Sequence, residues 1–149
     1  MDWHKDNFTI STSKDRLDIG YIQTKLSQTY WATDIPRSVV ERSIQHSLCF
    51  GVYADGHQIG FARMITDSAT FAYLCDVFID EDFRGRGISK WMMSVIMDHP
   101  DLQGLRRMML GTKDAHGLYR QYGFNELAAP DRWMEINVPG IYTKLKTQQ

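Results

Sequence analysis

Apolar residues recur first at helical and then at alternating spacing, and that change of period sets the expected order of elements. Phe8 to Ser11 is a short strand candidate. Ser13-Lys14-Asp15 then opens a helix carrying Leu17, Tyr21, Ile22 and Leu26, and Pro36 starts a shorter one with Val39, Val40 and Ile44 at helical spacing. From Leu48 the pattern is extended. Leu48 to Tyr53 and Gln58 to Ile65 read as a hairpin closed by Ala54-Asp55-Gly56-His57, and Thr70 to Ile79 reads as a long apolar strand central to a sheet. Three antiparallel strands follow from this.

A polar break at Asp80-Glu81-Asp82 precedes a helix with Ile88, Trp91, Met92, Val95, Ile96 and His99 on one face, ended by Pro100. Arg106 to Gly111 is the next strand, so a strand, a helix and a strand predict a right-handed parallel crossover. Ala115, Leu118, Tyr119 and Tyr122 mark a short helix with Gly123 as a left-handed terminator. Arg132 to Val138 and Ile141 to Leu145 are expected to close the sheet as strands. The expected fold class is α/β with a mixed, mostly antiparallel sheet, in a single domain over residues 1–149 with a polar tail at 144–149.

Composition narrows the function. A chain of 149 residues with 43% apolar content suits one core, and 17 Lys plus Arg against 18 Asp plus Glu disfavours a nucleic-acid binder that relies on bulk positive charge. No apolar run approaches the roughly 20 residues of a bilayer span. The N-terminal stretch also lacks a signal-like apolar segment, so the expectation is a cytoplasmic protein with no membrane or nucleic-acid partner. Cys49 and Cys75 lack partners at metal-ligand spacing, so no disulfide framework and no metal is expected, and both read as core residues. Met92, Met93, Met97, Met108 and Met109 read as core filling.

The segment Arg84-Gly85-Arg86-Gly87-Ile88-Ser89, lying between a strand and a helix, places unhindered N–H groups at a positive helix terminus where a phosphate can bind. The glycines remove Cβ atoms where a ligand would approach, and Arg84, Arg86 and Lys90 add charge. The plain alternative is a tight turn solvated by arginines. The P-loop pattern is absent, and the dinucleotide fingerprint fails because Ser89 and Lys90 follow Gly87 where a third small residue belongs.

Val77-Phe78-Ile79, then Asp80-Glu81-Asp82-Phe83, then Arg84 to Ser89 resembles the motif Q/R-x-x-G-x-G/A of the GNAT superfamily of acyl-CoA-dependent N-acetyltransferases, with Ser89 in place of the final Gly or Ala. Downstream, Thr112-Lys113-Asp114-Ala115-His116-Gly117-Leu118-Tyr119-Arg120-Gln121-Tyr122-Gly123-Phe124 resembles the family's N-x-x-A-x-x-L/F-Y-x-x-x-G-F segment, with Thr112 at the Asn position. The resemblance spans roughly Leu48 to Phe124.

It implies a three-layer fold with a splayed pair of parallel strands and helices on both faces, and acetyl-CoA as cosubstrate in the splay. Val77, Phe78 and Ile79 would then offer backbone groups to the pantetheine and acetyl ends. Arg84, Gly85, Arg86, Gly87, Ile88 and Ser89 would hold the pyrophosphate, with Thr112 also at the cofactor. Tyr119 matches the family tyrosine that serves as general acid toward the thiolate. The implied acceptor is an amine on a small molecule or peptide, and the resemblance leaves a homodimer open.

The base is less plainly marked. Where some members of the family carry a Glu, Tyr73 stands here, and Asp76 is the only carboxylate inside the long strand, a candidate base or ammonium anchor. Simple alternation puts Asp76 on the face opposite Tyr73, Cys75 and Val77 unless a bulge intervenes. His116 is a second candidate. The resemblance assigns acceptor selection to the first two helices, their connecting loop and the final segment, so Tyr30, Trp31 and Trp133 are substrate candidates, with Tyr142 beside them. The departures at Ser89, Thr112 and Tyr73 leave a second reading, an inactive acyl-CoA-binding regulatory module.

Overall fold

A computed structural model describes residues 1–147, and its six strands form one sheet in chain order. β1 (Asp2–Lys5) and β2 (Phe8–Ser11) form a hairpin. β1 lies outside the expected elements because Asp2, His4 and Lys5 are exposed and carry no apolar alternation; its pairing with β2 defines it. β3 (Leu48–Ala54), β4 (His57–Thr66) and β5 (Phe71–Ile79) continue antiparallel, as the alternation predicts. The β3–β4 turn places Asp55 and Gly56 at positive φ, which the Asp-Gly pair tolerates.

α1 (Ile19–Ser27) begins later than the periodicity predicts. Residues Lys14–Arg16 make a 3-10 turn, and the Asp18 carboxylate caps the helix by accepting from the Tyr21 N–H at 3.0 Å. α2 (Arg37–Gln45) follows Pro36 and α3 (Ile88–Asp98) stops before Pro100, as expected. β6 (Arg107–Leu110) pairs parallel to β5, and α4 (His116–Arg120) is followed by Gly123 at φ 95°.

The last segment corrects the sequence reading. Pro130–Arg132 is a 3-10 turn and, among the described residues, no main-chain hydrogen bond reaches residues 134–139, so Arg132 to Val138 is not a strand of this sheet. Ile141 to Leu145 belongs to a helix, α5 (Ile141–Thr147). Ile141 and Leu145 are four apart, a helical spacing, and the Thr143 hydroxyl ties the helix down by donating to Asp34 at 2.8 Å. Residues 144–147 of the expected polar tail continue α5, and 148–149 lie outside the described residues.

Each sheet face buries its own cluster. Phe50, Val52, Met64 and Leu74 pack with Met92, Met93 and Ile96 of α3, while Cys49 and Phe61 pack with Ile22 and Leu26 of α1 and Val40 and Ile44 of α2. The result is a three-layer arrangement with helices on both faces of a mixed sheet. Cys75, expected in the core, is only half-buried.

One irregularity positions the site. Phe61 pairs with Phe78 and Arg63 with Cys75, so Ala62 on β4 faces two residues, Asp76 and Val77, on β5. This bulge holds Asp76 at φ 55°. Ala72 and Leu74 face α3 before it, and Val77 and Ile79 do so after it. Asp76 therefore shares the α1–α2 face with Tyr73 and Cys75, and Val77 lies opposite, which overturns the uniform alternation.

Gly60 lies against this irregular stretch, where an added Cβ would stand 2.7 Å from Ile79 Cδ1 and 3.0 Å from the Phe78 carbonyl oxygen. Gly60→Ala is expected to destabilise by about 1–3 kcal/mol, read as a lower denaturation midpoint at unchanged m-value. His99 is buried edge-on to Phe50, and its Nδ1 accepts from the Asp101 N–H at 3.1 Å. Burial pushes its pKa below the ordinary value, so the unfolded chain takes a proton that the native state refuses. The associated stability is present above the ordinary pKa of about 6.5 and is lost as pH falls through the depressed native value. Unfolding titrations at several pH values should show that acid-side slope in the native chain and a shallower one in His99→Gln.

Candidate active site at the parting of β5 and β6

β5 and β6 are paired from Phe71 with Arg107 to Leu74 with Leu110 and no further. Beyond that point β5 runs on through its bulge to Ile79. The chain after β6 instead turns at Gly111 and Thr112, whose hydroxyl accepts from the Ala115 N–H at 3.1 Å at the entry to α4. A cavity of about 240 Å³ fills the parting, and Tyr30, Trp31, Asp76, Val77, Thr112 and Tyr119 all line it.

The Asp76 carboxylate is held on both oxygens. Oδ1 accepts from Trp31 Nε1 at 3.0 Å, and Oδ2 accepts from Arg63 Nε at 2.8 Å. Arg63 in turn donates from Nη1 to the Ser47 hydroxyl at 3.0 Å. With side-chain exposures of 15% for Arg63 and 9% for Asp76, this is a shielded ion pair rather than a surface one. Trp31, on the α1–α2 loop, is thereby fixed over the cavity, with Tyr30 edge-on to it at 5.0 Å between ring centroids and Lys113 Nζ 5.6 Å from the Tyr30 ring.

Tyr119 projects from α4 with its ring edge-on to Phe124. Burial pushes its pKa above the ordinary tyrosine value, so the phenol keeps its proton throughout the neutral range. Its hydroxyl makes no hydrogen bond among the described residues, which leaves the proton available to a group in the cavity. Cys75 also lines the cavity, and burial pushes its thiol up to about 12. A neutral thiol is a poor nucleophile.

A second cavity of about 220 Å³ lies past Ile79, lined by Arg84, Gly85, Gly87, Ile88, Ser89 and Lys90 among others. Gly85 and Gly87 sit at φ 78° and 77°, where an L side chain is strained, and open space surrounds the place a Cβ would occupy. No side chain caps α3, and among the described residues the main-chain N–H groups of 85–90 make no hydrogen bond. That row of free donors at a helix start is an anion cradle. The arginines are placed unequally: Arg84 Nε donates to the Ile79 carbonyl at 3.2 Å while lining the cradle, whereas Arg86 stacks on Phe83 at 5.1 Å.

The two cavities meet along one strand end. Val77 lines the first and Ile79 the second, while the consecutive α4 residues Leu118 and Tyr119 line the second and first respectively. Phe78 lies between them, paired to Phe61 of β4. Three of the base and acceptor candidates line neither cavity. Trp133 lies under the Arg107 guanidinium at 4.6 Å, at the far end of β6 from the cavity, and His116 lines a neighbouring groove that shares Thr112 and Tyr119 with it. Tyr142 packs into the cluster under α1 and α2.

Arg63 escaped the sequence reading, although a lone charge inside the apolar run Ile59 to Ile65 is a signal that something buried must answer it. Asp114, which lines the first cavity, had no signal beyond its place in the second motif. Among the described residues no cluster of metal-ligating side chains occurs, and no helix is long and apolar enough to cross a membrane.

The sequence pattern of the acetyltransferase (GNAT) family matches residues 8–124. A Gibberella zeae protein named as an acetyltransferase is 32% identical, over 80% of this chain and 79% of its own length. A crystal structure from Xanthomonas campestris pv. campestris, assigned to the same family, superposes with a TM-score of 0.91 at 55% identity, covering 94% of this chain and 99% of that one. An Elizabethkingia anophelis GNAT acetyltransferase, solved with acetyl-CoA bound, shares the fold at a TM-score of 0.63 and 18% identity, covering 91% and 92% of the two chains. The chain, with its parted parallel strands and its glycine turn at a helix start, belongs to the GNAT family of acetyltransferases.

Proposed function

We propose that this protein transfers an acetyl group from acetyl-CoA to an amine of a small molecule or peptide, by direct attack of the amine on the thioester. The observation that carries the reading is the continuity of the slot. An open anion cradle and a cavity holding a free tyrosine hydroxyl lie at the two ends of the same three residues, Val77 to Ile79.

The residues present fit such a carrier. The free N–H groups of 85–90 would bind its diphosphate, with Arg84 and Lys90 adding charge and Ser89 a hydroxyl. Phe78 and Ile79 pair with β4 on one side, Val77 sits in the bulge, and none of the three pairs with β6, which leaves an edge for backbone recognition of an extended pantetheine arm. When bound, acetyl-CoA supplies an activated acyl group and a thiolate leaving group. The crystal structure of the E. anophelis relative supports placing it on this fold.

Tyr119 holds the proton that the departing sulfur takes, and its raised pKa keeps that proton in place until needed. The neutral thiol of Cys75 favours direct transfer over an acyl-thiol intermediate. An acceptor amine of lysine type, with a reference pKa of about 10.4, costs roughly 4–5 kcal/mol to deprotonate near pH 7. Asp76, with its oxygens already taking Trp31 and Arg63, anchors the incoming ammonium through its remaining lone pairs, while Tyr30 and Trp31 offer aromatic faces.

Calorimetric titration should show CoA binding to the native chain, and Gly87→Ala should weaken it about tenfold through the Cβ in the cradle and the strained φ. No binding by the native chain would overturn the reading. In thiol-release assays with an amine panel, Tyr119→Phe should retain CoA affinity and lose about 10²-fold or more in turnover. Native turnover should show no loss from tyrosine ionisation up to about pH 10. Binding without thiol release for every amine would point instead to an inactive acyl-CoA-binding module.

A further inference from the structure

Every charged side chain that lines the cavity at the parting of β5 and β6 is acidic. Asp76 and Asp114 line it, and among the described residues no lysine, arginine or histidine does. Burial raises the pKa of Tyr73, Cys75 and Tyr119, which line it too, so all three are uncharged in the neutral range. The two carboxylates are not equivalent. Asp76 is answered inside the fold by Arg63 at 2.8 Å, whereas Asp114 is exposed and forms no ion pair among the described residues. One negative charge at the cavity is therefore left for a ligand to meet.

The aromatic rim has the matching character. Tyr30, Trp31 and Tyr73 line the cavity and are exposed, and the faces of such rings attract cations. The ammonium of Lys113, the residue before Asp114, lies 5.6 Å from the centre of the Tyr30 ring and has no acidic partner among the described residues, so this rim takes an ammonium group within the chain itself. The Thr112 hydroxyl, accepting from the Ala115 N–H at 3.1 Å, fixes the turn in which Asp114 lies. Tyr119 marks the reacting end: it is 9% exposed, and its unpartnered hydroxyl belongs to the same cavity.

We infer that Asp114 selects the acceptor by charge: the amine that reacts lies at Asp76 and Tyr119, and a second cationic group on the same molecule is held by Asp114 beside the Tyr30 ring. The inference rests on the acetyl-transfer reading and names its substrate class, a short aliphatic diamine. The methylenes of such a chain pack on the aromatic rim between the two carboxylates. A neutral tail leaves Asp114 unanswered. A carboxylate tail, as on a free amino acid, meets like charge with no cation lining the cavity to offset it.

Three acceptors with the same run of methylenes isolate the tail: 1,4-diaminobutane, pentylamine and 5-aminopentanoate. Thiol release from acetyl-CoA should give the highest kcat/KM for the diamine, about tenfold above pentylamine, and the lowest for 5-aminopentanoate. Added salt should narrow the gap between the diamine and pentylamine, because Asp114 is exposed. Asp114→Asn should remove most of that gap, and Asp114→Lys should reverse the order in favour of 5-aminopentanoate, with circular dichroism checking that both variants fold. Equal kcat/KM for the diamine and pentylamine, a native preference for 5-aminopentanoate, or a diamine preference that survives both substitutions would each overturn the inference. Release with none of the three, by a chain that binds CoA and acetylates some other amine, would overturn it as well and leave the acetyl-transfer reading standing. Absence of CoA binding would bring down both.

Discussion

The carboxylate of Asp76 accepts from Trp31 on a loop and from Arg63 on the neighbouring strand, where β5 abandons regular geometry. A non-glycine residue at φ 55° is strained by about 1–2 kcal/mol, and a hydrogen bond to a charged group contributes about 1.5–3 kcal/mol, so the bond to Arg63 alone offsets the strain. The arrangement works only as a unit. Removing one partner would leave a charge buried without its answer, at a cost of about 3–5 kcal/mol. The bulge turns Val77 and Ile79 into the α3 face beyond the last pairing of β5 with β6, beside the cavity that Asp76 and Tyr119 line.

This explains how one short stretch serves both stability and chemistry. Ile79 is core by side chain and Val77 partly so, while both lie beyond the last pairing of β5 with β6. Tyr119 is similarly divided, with a ring packed against Phe124 and a hydroxyl left without a partner. Burial raises the pKa of both Tyr119 and Cys75, and the consequences differ. It keeps the phenol protonated in the first case and the thiol protonated, hence poorly nucleophilic, in the second.

Much of this was legible in the residues. The alternation from Leu48 to Ile79, the period change after Arg84 and the glycines at 85, 87 and 123 specify the hairpin, the long strand, the parallel crossover and the cradle, because each reflects a local rule of burial or backbone freedom. What alternation could not show is the bulge. It depends on Arg63, thirteen residues away from Asp76, and on Trp31 from another element. β1 escaped because pairing, not its own side chains, makes it a strand. The segment after Pro130 misled in the other direction. Its strand-like residues are real, but a strand needs a partner edge, and among the described residues this segment has none.

α1 reaches both ends of the slot. Tyr21 in its first turn donates to the Asp80 carboxylate at 3.3 Å and Lys25, one turn further on, pairs with it at 3.4 Å, which secures the turn that leads into the glycines. The chain leaving its other end carries Trp31 to Asp76. At 1.5 Å per residue its nine residues make a rod of roughly 13 Å, which ties the turn ahead of the glycines to the loop that carries Trp31. Two cavities on one sheet are thus braced by a helix on the side opposite α3, and lengthening or shortening that helix by a turn would shift Trp31 relative to Asp80 without replacing a residue that lines either cavity.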